Sequence, residues 1–330
     1  MKISFETNNS ALIETVQAFV SEWNNSADSI FVQTSGSTGQ PKTIEIEKKH
    51  MIASAKMTGN YLQLEPGMTA LLSLSPSTIA GKMMIVRSIV LEMNLIVTEA
   101  TARPLLEMNT PIDFAALVPY QVQHSIDDID KIGKLIIGGG AISSDLWRRI
   151  AESNVEAYQT FGMTETISHI AMRKIEIPES AYVPLKGVDI ETENDCLVIH
   201  APHLGVHHLK TNDVININED GSFYWVGRAD FVINSGGIKI HPEQIEKQLS
   251  MLIKQPFFSF GLKDDVLGEK HIICIEGAND VNRNEMIRLL SKYHAPKEVY
   301  FFDNFEYTNS GKINRVQTIE RLANAKKQVL

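Results

Sequence analysis

Between residues 48 and 159 the chain alternates short apolar runs with helical patterns, and this restricts the fold more than any other feature. The runs are 69–74 (TALLSL), 95–98 (LIVT), 114–118 (FAALV), 134–137 (KLII) and 155–159 (VEAYQ). Helical patterns cover 48–62, 82–93 and 143–153. Ser143 or Ser144 can cap the last of these, with Asp145 in its first turn. An earlier stretch, 11–23, sets Leu12, Val16, Phe19 and Val20 on one helical face. Strands joined through helices imply βαβ units and a mostly parallel sheet.

Ligands of open α/β sheets sit at the carboxyl ends of the strands, and here those ends are rich in glycine and hydroxyl groups. Ser75-Pro76-Ser77-Thr78-Ile79-Ala80-Gly81-Lys82 follows the first run, Gly138-Gly139-Gly140-Ala141 the fourth, and Thr160-Phe161-Gly162-Met163-Thr164-Glu165-Thr166 the fifth. Their convergence reads as one nucleotide site, although the glycine run alone could be a tight strand-to-helix turn. A further loop, Thr34-Ser35-Gly36-Ser37-Thr38-Gly39-Gln40-Pro41-Lys42, lies between Ile30-Phe31-Val32 and Ile44-Glu45-Ile46-Glu47, both read as strands. Backbone N–H groups and hydroxyls in such a loop can wrap a phosphate. The glycine spacing and Pro41 exclude the Walker type, which needs four residues between glycines and a helix opening at the lysine.

From about residue 186 short alternating runs appear at 196–200, 214–218 and 222–226, with the turn Glu219-Asp220-Gly221 between the last two. This reads as an antiparallel β-rich part. Beyond Asp230 the pattern is again mixed: a helix opened by Ile240-His241-Pro242-Glu243, strands at 257–262, 270–275 and 299–302, and a helix at 284–294. The expected class is α/β. It has a large domain over 1–229, with a mostly parallel sheet, flanking helices and a β-rich part, and a small α+β domain over 230–330.

The chain has 330 residues and a net charge of −9, which disfavours nucleic acid or an anionic membrane as partner. Cys196 and Cys274 have neither zinc nor disulfide spacing, which suits a reducing cytoplasm. No signal-peptide pattern and no membrane-spanning apolar stretch is evident. His124, His169, His203, His207 and His208 show no metal spacing and read as packing or surface residues. Met83, Met84 and Met163 read as pocket or core filler.

Taken in order, TSGSTGQPK, GGGA, FGMTE, TNDV, GRADFVINSGGIKIHPEQIE and NSGKINR resemble the motifs of the adenylate-forming superfamily, which comprises acyl- and aryl-CoA synthetases, luciferase-like enzymes and nonribosomal-peptide adenylation domains. They span residues 34 to 315. Within the superfamily the chain resembles a compact form of the o-succinylbenzoate–CoA ligases of menaquinone biosynthesis, through Ala80-Gly81-Lys82-Met83-Met84-Ile85-Val86-Arg87 and Leu117-Val118-Pro119-Tyr120-Gln121-Val122. It departs from the superfamily in having Phe161 for a tyrosine, Asn212 for a glycine, and no histidine in a shortened loop after Pro76.

The resemblance implies a two-step reaction using ATP, Mg²⁺ and coenzyme A: a carboxylic acid is adenylated with release of pyrophosphate, and a thiol then displaces AMP. It implies that Thr34, Ser35, Gly36, Ser37, Thr38, Gly39 and Lys42 hold the β- and γ-phosphates. Thr164 would meet the α-phosphate, and Glu165 would bind Mg²⁺. Gly138, Gly139, Gly140, Ala141, Phe161 and Gly162 would line the nucleotide slot. Asp213 would take the ribose, and Arg228 the ribose or phosphate. Lys312 would stabilise the adenylation transition state. Asp230 would be the hinge about which the small domain rotates, bringing Gly236, Gly237 and Lys239 to the thiol step. Gly81, Lys82 and Arg87 are the acid-side candidates, facing the site, although Arg87 could equally be a helix-surface charge. Alternatives stay open: another aryl or acyl acid, a carrier protein as acceptor, or a nucleotide-binding pseudo-ligase acting as scaffold. A homo-oligomer is also open.

Overall fold

The computed structural model describes residues 2–33, 43–277, 283–307 and 313–329. The chain divides into two compact units. The first comprises Met1–Glu191, Val198–Leu209 and Ile217–Phe223; the second comprises Thr192–Leu197, Lys210–Asn216 and Tyr224–Leu330.

The first unit runs β1 (Ile3–Phe5), α1 (Ser10–Asn24), β2 (Ser29–Gln33), β3 (Thr43–Glu47), α2 (Lys48–Leu62), β4 (Thr69–Leu72), α3 (Ile79–Val90), β5 (Asn94–Val97), β6 (Ile112–Leu117), α4 (Pro119–Ser125), β7 (Ile132–Ile137), α5 (Ser144–Ala151), β8 (Glu156–Gly162), β9 (His169–Lys174) and β10 (Val183–Pro184). Eight strands form one sheet in the order β1-β5-β4-β6-β7-β8-β9-β10. Pairing is parallel from β1 to β8, and β9 and β10 close the edge antiparallel. The expected mostly parallel sheet is present. Its central strands read as unbroken apolar runs because helices cover them. Leu71, Ala115, Leu135 and Ala157 share one core with Val122 of α4 and Leu146, Trp147 and Ile150 of α5. Separately, β2 and β3 pair antiparallel, Gln33 opposite Thr43, which brackets residues 34–42 between two strands.

Two helix starts follow from capping. Ser143 accepts from the Leu146 N–H at the head of α5. Thr78 does the same for Gly81, so α3 begins at Ile79, ahead of the 82–93 expected from apolar spacing. Its end also comes early, as Glu92 takes a left-handed φ of 56°. A Cβ on Gly81 would lie 2.1 Å from the Ser75 carbonyl oxygen, where neither backbone can yield cheaply. Gly81→Ala is therefore expected to cost about 1–3 kcal/mol of stability, readable as a lowered melting temperature without any substrate present.

Strands β11 (Asp189–Glu193), β12 (Cys196–Ala201), β13 (Val206–Ile217) and β14 (Phe223–Arg228) form a sheet in that order, and their residues divide between the two units. Asp213 lies well inside the 12-residue β13, not at the start of a strand at 214. The polar run Lys210-Thr211-Asn212-Asp213 hides this strand from a reading by apolar alternation.

The second unit continues with β15 (Ile233–Ser235), β16 (Ile238–Ile240), α6 (Pro242–Leu249), β17 (Phe257–Asp264), β18 (Gly268–Glu276), α7 (Arg283–Leu289), β19 (Glu298–Phe302), α8 (Arg315–Glu320) and β20 (Lys326–Val329). The sheet is ordered β16-β15-β18-β19-β20, with β17 also on β18. Alternate residues of β18 and β19 serve two cores. Ile273, Ile275 and Val299 meet Ile245 and Leu249 of α6 and Met286 of α7. Ile272, Cys274, Tyr300 and Phe302 meet Phe258 and Phe305. The helix expected over 284–294 stops at Leu289; residues beyond it form turns ahead of Pro296.

Glu246 of α6 accepts from Arg315 at 2.8 Å and from the Ser259 N–H at 2.8 Å, and the guanidinium also lies over the Phe231 and Phe258 rings. Burial pushes the Glu246 carboxyl up to about 7 despite Arg315 beside it. Its folded value thus exceeds the ordinary carboxyl value of 4.5, so folding takes up a proton between those limits. Stability contributed by the protonated form is full below pH ~4.5 and is lost as pH rises through ~7. Glu246→Gln is expected to remove this slope. Its stability relative to the parent should rise by about 1–3 kcal/mol from pH 4.5 to 7, read by urea unfolding across that range.

Candidate active site

In the first unit, β4, β6, β7 and β8 run parallel, so the loops after them leave the same edge of the sheet. Close approach ties these loops together. A Cβ on Gly138 would lie 2.6 Å from Thr160 Oγ1 on the neighbouring strand; Gly139 has φ +82°. Gln121, capping α4, donates to the Ser73 and Thr101 carbonyls at 2.8 and 3.1 Å. Gly139, Gly140 and Ala141 leave their backbone exposed at this edge. The run is thus a tight turn, and one that can also present N–H groups to a ligand.

Beyond Gly162, Thr164 and Glu165 sit in a single 3₁₀ turn, Thr164–Thr166, held by Thr166 Oγ1, which accepts from the Met163 N–H at 3.0 Å. Glu165 points its carboxylate outward and is exposed. An accessible carboxylate beside hydroxyls is a donor set suited to Mg²⁺, a hard cation with oxygen ligands. A Cβ on Gly162 would come 2.3 Å from the Ser168 carbonyl, so glycine is what lets the chain double back here. Phe161 is half-buried in an aromatic trio, with centroids 5.6 Å from Tyr182 and 5.4 Å from Phe223.

The same turn supports a buried cation. Arg87 is 2% exposed, which overturns a helix-surface role. Its Nη2 donates to Ser168 Oγ at 2.7 Å and its Nε to Thr58 Oγ1 at 3.3 Å; Nη1 faces the Met84 sulfur at 3.8 Å. His169 completes the network, with Nε2 2.9 Å from Thr58 Oγ1 and Nδ1 3.3 Å from Ser168 Oγ. One proton arrangement satisfies every contact. Thr58 donates to the Ser54 carbonyl and accepts from Arg87 and His169 Nε2; Ser168 accepts from Arg87 and donates to His169 Nδ1. Burial and the adjacent Arg87 charge hold His169 well below its ordinary pKa, keeping it neutral. Burial pulls Arg87 down to about 10, so it stays charged at neutral pH. No ion pair joins Arg87 to a carboxylate among the described residues.

Lys82 does not share this environment. Its ammonium lies 4.2 Å over the Phe19 ring of α1 and 3.9 Å from Glu22. Five residues along a helix, at about 100° each, turn it well away from Arg87. The two acid-side candidates therefore lie in different surroundings, Lys82 against α1 and Arg87 with Thr58, Ser168 and His169. His169 is buried, as expected of a packing residue; Thr58 and Ser168 as partners of Arg87 were not foreseen, and only the nearness of Ser168 to the FGMTE run could have flagged it.

In the second unit Asp213 is buried and accepts from Trp225 Nε1 at 3.0 Å. Arg228 Nη1 lies 3.8 Å from it, and Arg228 Nη2 donates to Asp230 at 3.0 Å. The structure therefore brings Asp213, Arg228 and Asp230 into one chain of contacts. Gly236 and Gly237 form the two-residue turn between β15 and β16, both at positive φ, as such hairpins require. Lys239 is exposed and paired with Asp195 at 3.1 Å. The residues 34–42 and Lys312 lie outside the described residues.

A parallel sheet with glycine- and hydroxyl-rich loops at its carboxyl edge, followed by a small α+β unit, defines a nucleotide-using α/β class. The chain belongs to the AMP-binding enzyme family, whose model matches residues 4–196. It is 36% identical to an acyl-CoA synthetase (AMP-forming)/AMP-acid ligase II-like protein from Dyadobacter fermentans DSM 18053, covering 96% of this chain and 95% of that one, with a TM-score of 0.65. It is 26% identical to a 2-succinylbenzoate–CoA ligase of Staphylococcus epidermidis, over 86% of this chain and 67% of the relative. Its fold is also that of the o-succinylbenzoate CoA synthetase of Bacillus subtilis solved with its acyl-adenylate intermediate. That likeness has a TM-score of 0.78 at 22% identity, covering 87% of this chain and 68% of that one. No helix among the described residues is long and apolar enough to cross a membrane.

Proposed function

We propose that the chain is an ATP-dependent acid–CoA ligase acting on o-succinylbenzoate. In the first step a substrate carboxylate oxygen attacks the α-phosphorus of ATP and pyrophosphate leaves. In the second the coenzyme A sulfur attacks the acyl carbon and AMP leaves. The observation that carries the substrate assignment is Arg87. A charge taken out of water costs several kcal/mol unless an anion meets it, and hydroxyls and a sulfur do not neutralise a guanidinium. o-Succinylbenzoate has two carboxylates. One reacts, and the other supplies the missing anion.

The remaining roles follow the resemblance. Thr34–Lys42 would grip the β- and γ-phosphates, Thr164 the α-phosphate, and Gly138–Ala141, Phe161 and Gly162 the base. Asp213 offers a carboxylate for the ribose, and Trp225 holds it in one orientation. Glu165 would hold Mg²⁺, which supplies charge neutralisation on the phosphates. Asp230 is the proposed hinge, with Gly236, Gly237 and Lys239 acting in the thiol step. Such chemistry needs positioning and charge rather than a protein nucleophile. Cytoplasmic location, with the acid, ATP and coenzyme A as small-molecule partners, completes the proposal.

The test is pyrophosphate release from ATP and Mg²⁺ with o-succinylbenzoate set against simple benzoates and fatty acids, with and without coenzyme A. Selective turnover of the dicarboxylate supports the reading. Turnover of a monocarboxylate alone would leave Arg87 unexplained and overturn the substrate assignment.

A further inference from the structure

Away from these residues, three neighbouring strands bring together side chains that no step above uses. Glu191 lies on β11, His200 on β12 and His208 on β13, and one ligand atom from each falls within 4.8 Å of the others. The sequence hides the group. His200 and His208 are separated by the Pro202–Leu204 turn, so their nearness is a property of the folded strands and not of helical or loop spacing.

The wiring of His200 singles it out. Its Nδ1 contacts the His207 carbonyl, which can only accept, so Nδ1 carries the proton. In the neutral ring Nε2 then presents a lone pair, yet it stands 2.8 Å from Glu191 Oε1, another acceptor. Two acceptors at that distance need a positive centre between them. One candidate is a second ring proton, and the contact with Glu191 does raise this histidine's pKa. The other is a metal ion. Imidazole ligands of metals almost always donate their second N–H to a carbonyl or carboxylate, which fixes tautomer and ring angle; His200 has that partner built in. The His208 ring, 5.3 Å from that of His200, is placed to supply the second nitrogen.

We infer that Glu191, His200 and His208 form a binding site for a divalent transition metal of the zinc type. With bonds of 2.0–2.2 Å, tetrahedral ligand atoms lie about 3.3 Å apart, so Glu191 must open slightly and His208 close. Two imidazoles and one carboxylate suit Zn²⁺ and not Mg²⁺, which takes oxygen ligands. The fourth position stays open to water, since Glu191 and His208 are exposed. The bound ion would fasten β11, β12 and β13 across one face of their sheet. This inference is independent of the ligase reading.

Calorimetric titration of the untagged full chain with Zn²⁺, and absorbance of its Co²⁺ form, test it. One ion per chain is expected, with tetrahedral Co²⁺ bands. His200→Ala, His208→Ala and Glu191→Gln should each weaken binding by more than the roughly 10- to 100-fold that losing an outer-shell partner costs. Zinc should raise the melting temperature of the parent and not of His200→Ala. Absence of binding, or binding that survives in His200→Ala and His208→Ala, overturns the site. Unchanged melting of the variants in chelator, and unchanged pyrophosphate release, show that they are folded.

Discussion

Lys312→Ala is expected to lower acyl-adenylate formation by ~10²-fold or more, a loss typical of one preorganised donor, while leaving attack of coenzyme A on preformed acyl-adenylate intact. The effect is electrostatic. Negative charge gathers on the α-phosphate as the carboxylate approaches, and a lysine at that point offsets it only in the first half-reaction. Single-turnover measurement of each half-reaction separates the two steps. Equal loss in both would assign Lys312 a general binding role. Lys312→Arg keeps the charge but changes its shape, and should recover part of the first step.

The second large effect belongs to Arg87. Arg87→Met is expected to reduce kcat/KM for o-succinylbenzoate by about 30- to 1,000-fold, the range for removing one member of a buried charge pair. Thermal stability of the ligand-free protein should stay level or rise. Methionine fills similar volume without a charge to desolvate, and apolar replacement of buried ions is often neutral or stabilising. The two readouts together separate substrate binding from scaffolding. A scaffold residue would lose stability, and it would lose activity evenly across all acids. Loss confined to dicarboxylates marks a recognition site. The parent should discriminate strongly against monocarboxylates, because a site built for a polar group rejects an analogue that leaves its buried donors unpaired.

Much of the first unit was legible from its runs of apolar residues. Strands at 69–72, 94–97, 112–117 and 132–137 lie within two residues of expectation. A parallel strand buried on both faces announces itself as an uninterrupted apolar segment. Strands β1, β9 and β20 were not anticipated, because their residues carry no strong alternation and owe their conformation to a paired neighbour. The loops after β4, β7 and β8 were legible as candidate ligand loops, because glycine and hydroxyl runs gather at the strand ends where open α/β sheets bind ligands. The surroundings of Arg87 were not. Thr58 and Ser168 stand 29 and 81 residues from it along the chain, and only the folded sheet joins them. Lys82 illustrates the converse. Its separation from Arg87 was implicit in helical geometry, but its partners on α1 required the packing of two helices. The approach of His200 and His208 was hidden for a related reason: they are eight residues apart along the chain and come together only across neighbouring strands.

Arg87 also bears on how long a molecule of this protein survives. The folded chain alone leaves a dry cation without a counter-charge among the described residues, and an acid bound as proposed would complete the interior as well as occupy it. Whatever binds the native state and not the unfolded chain holds back unfolding in proportion to its concentration. Turnover by cellular proteases follows the population of opened molecules. The abundance of the protein should then track the supply of its own substrate, falling when the acid is scarce, with no dedicated regulator required.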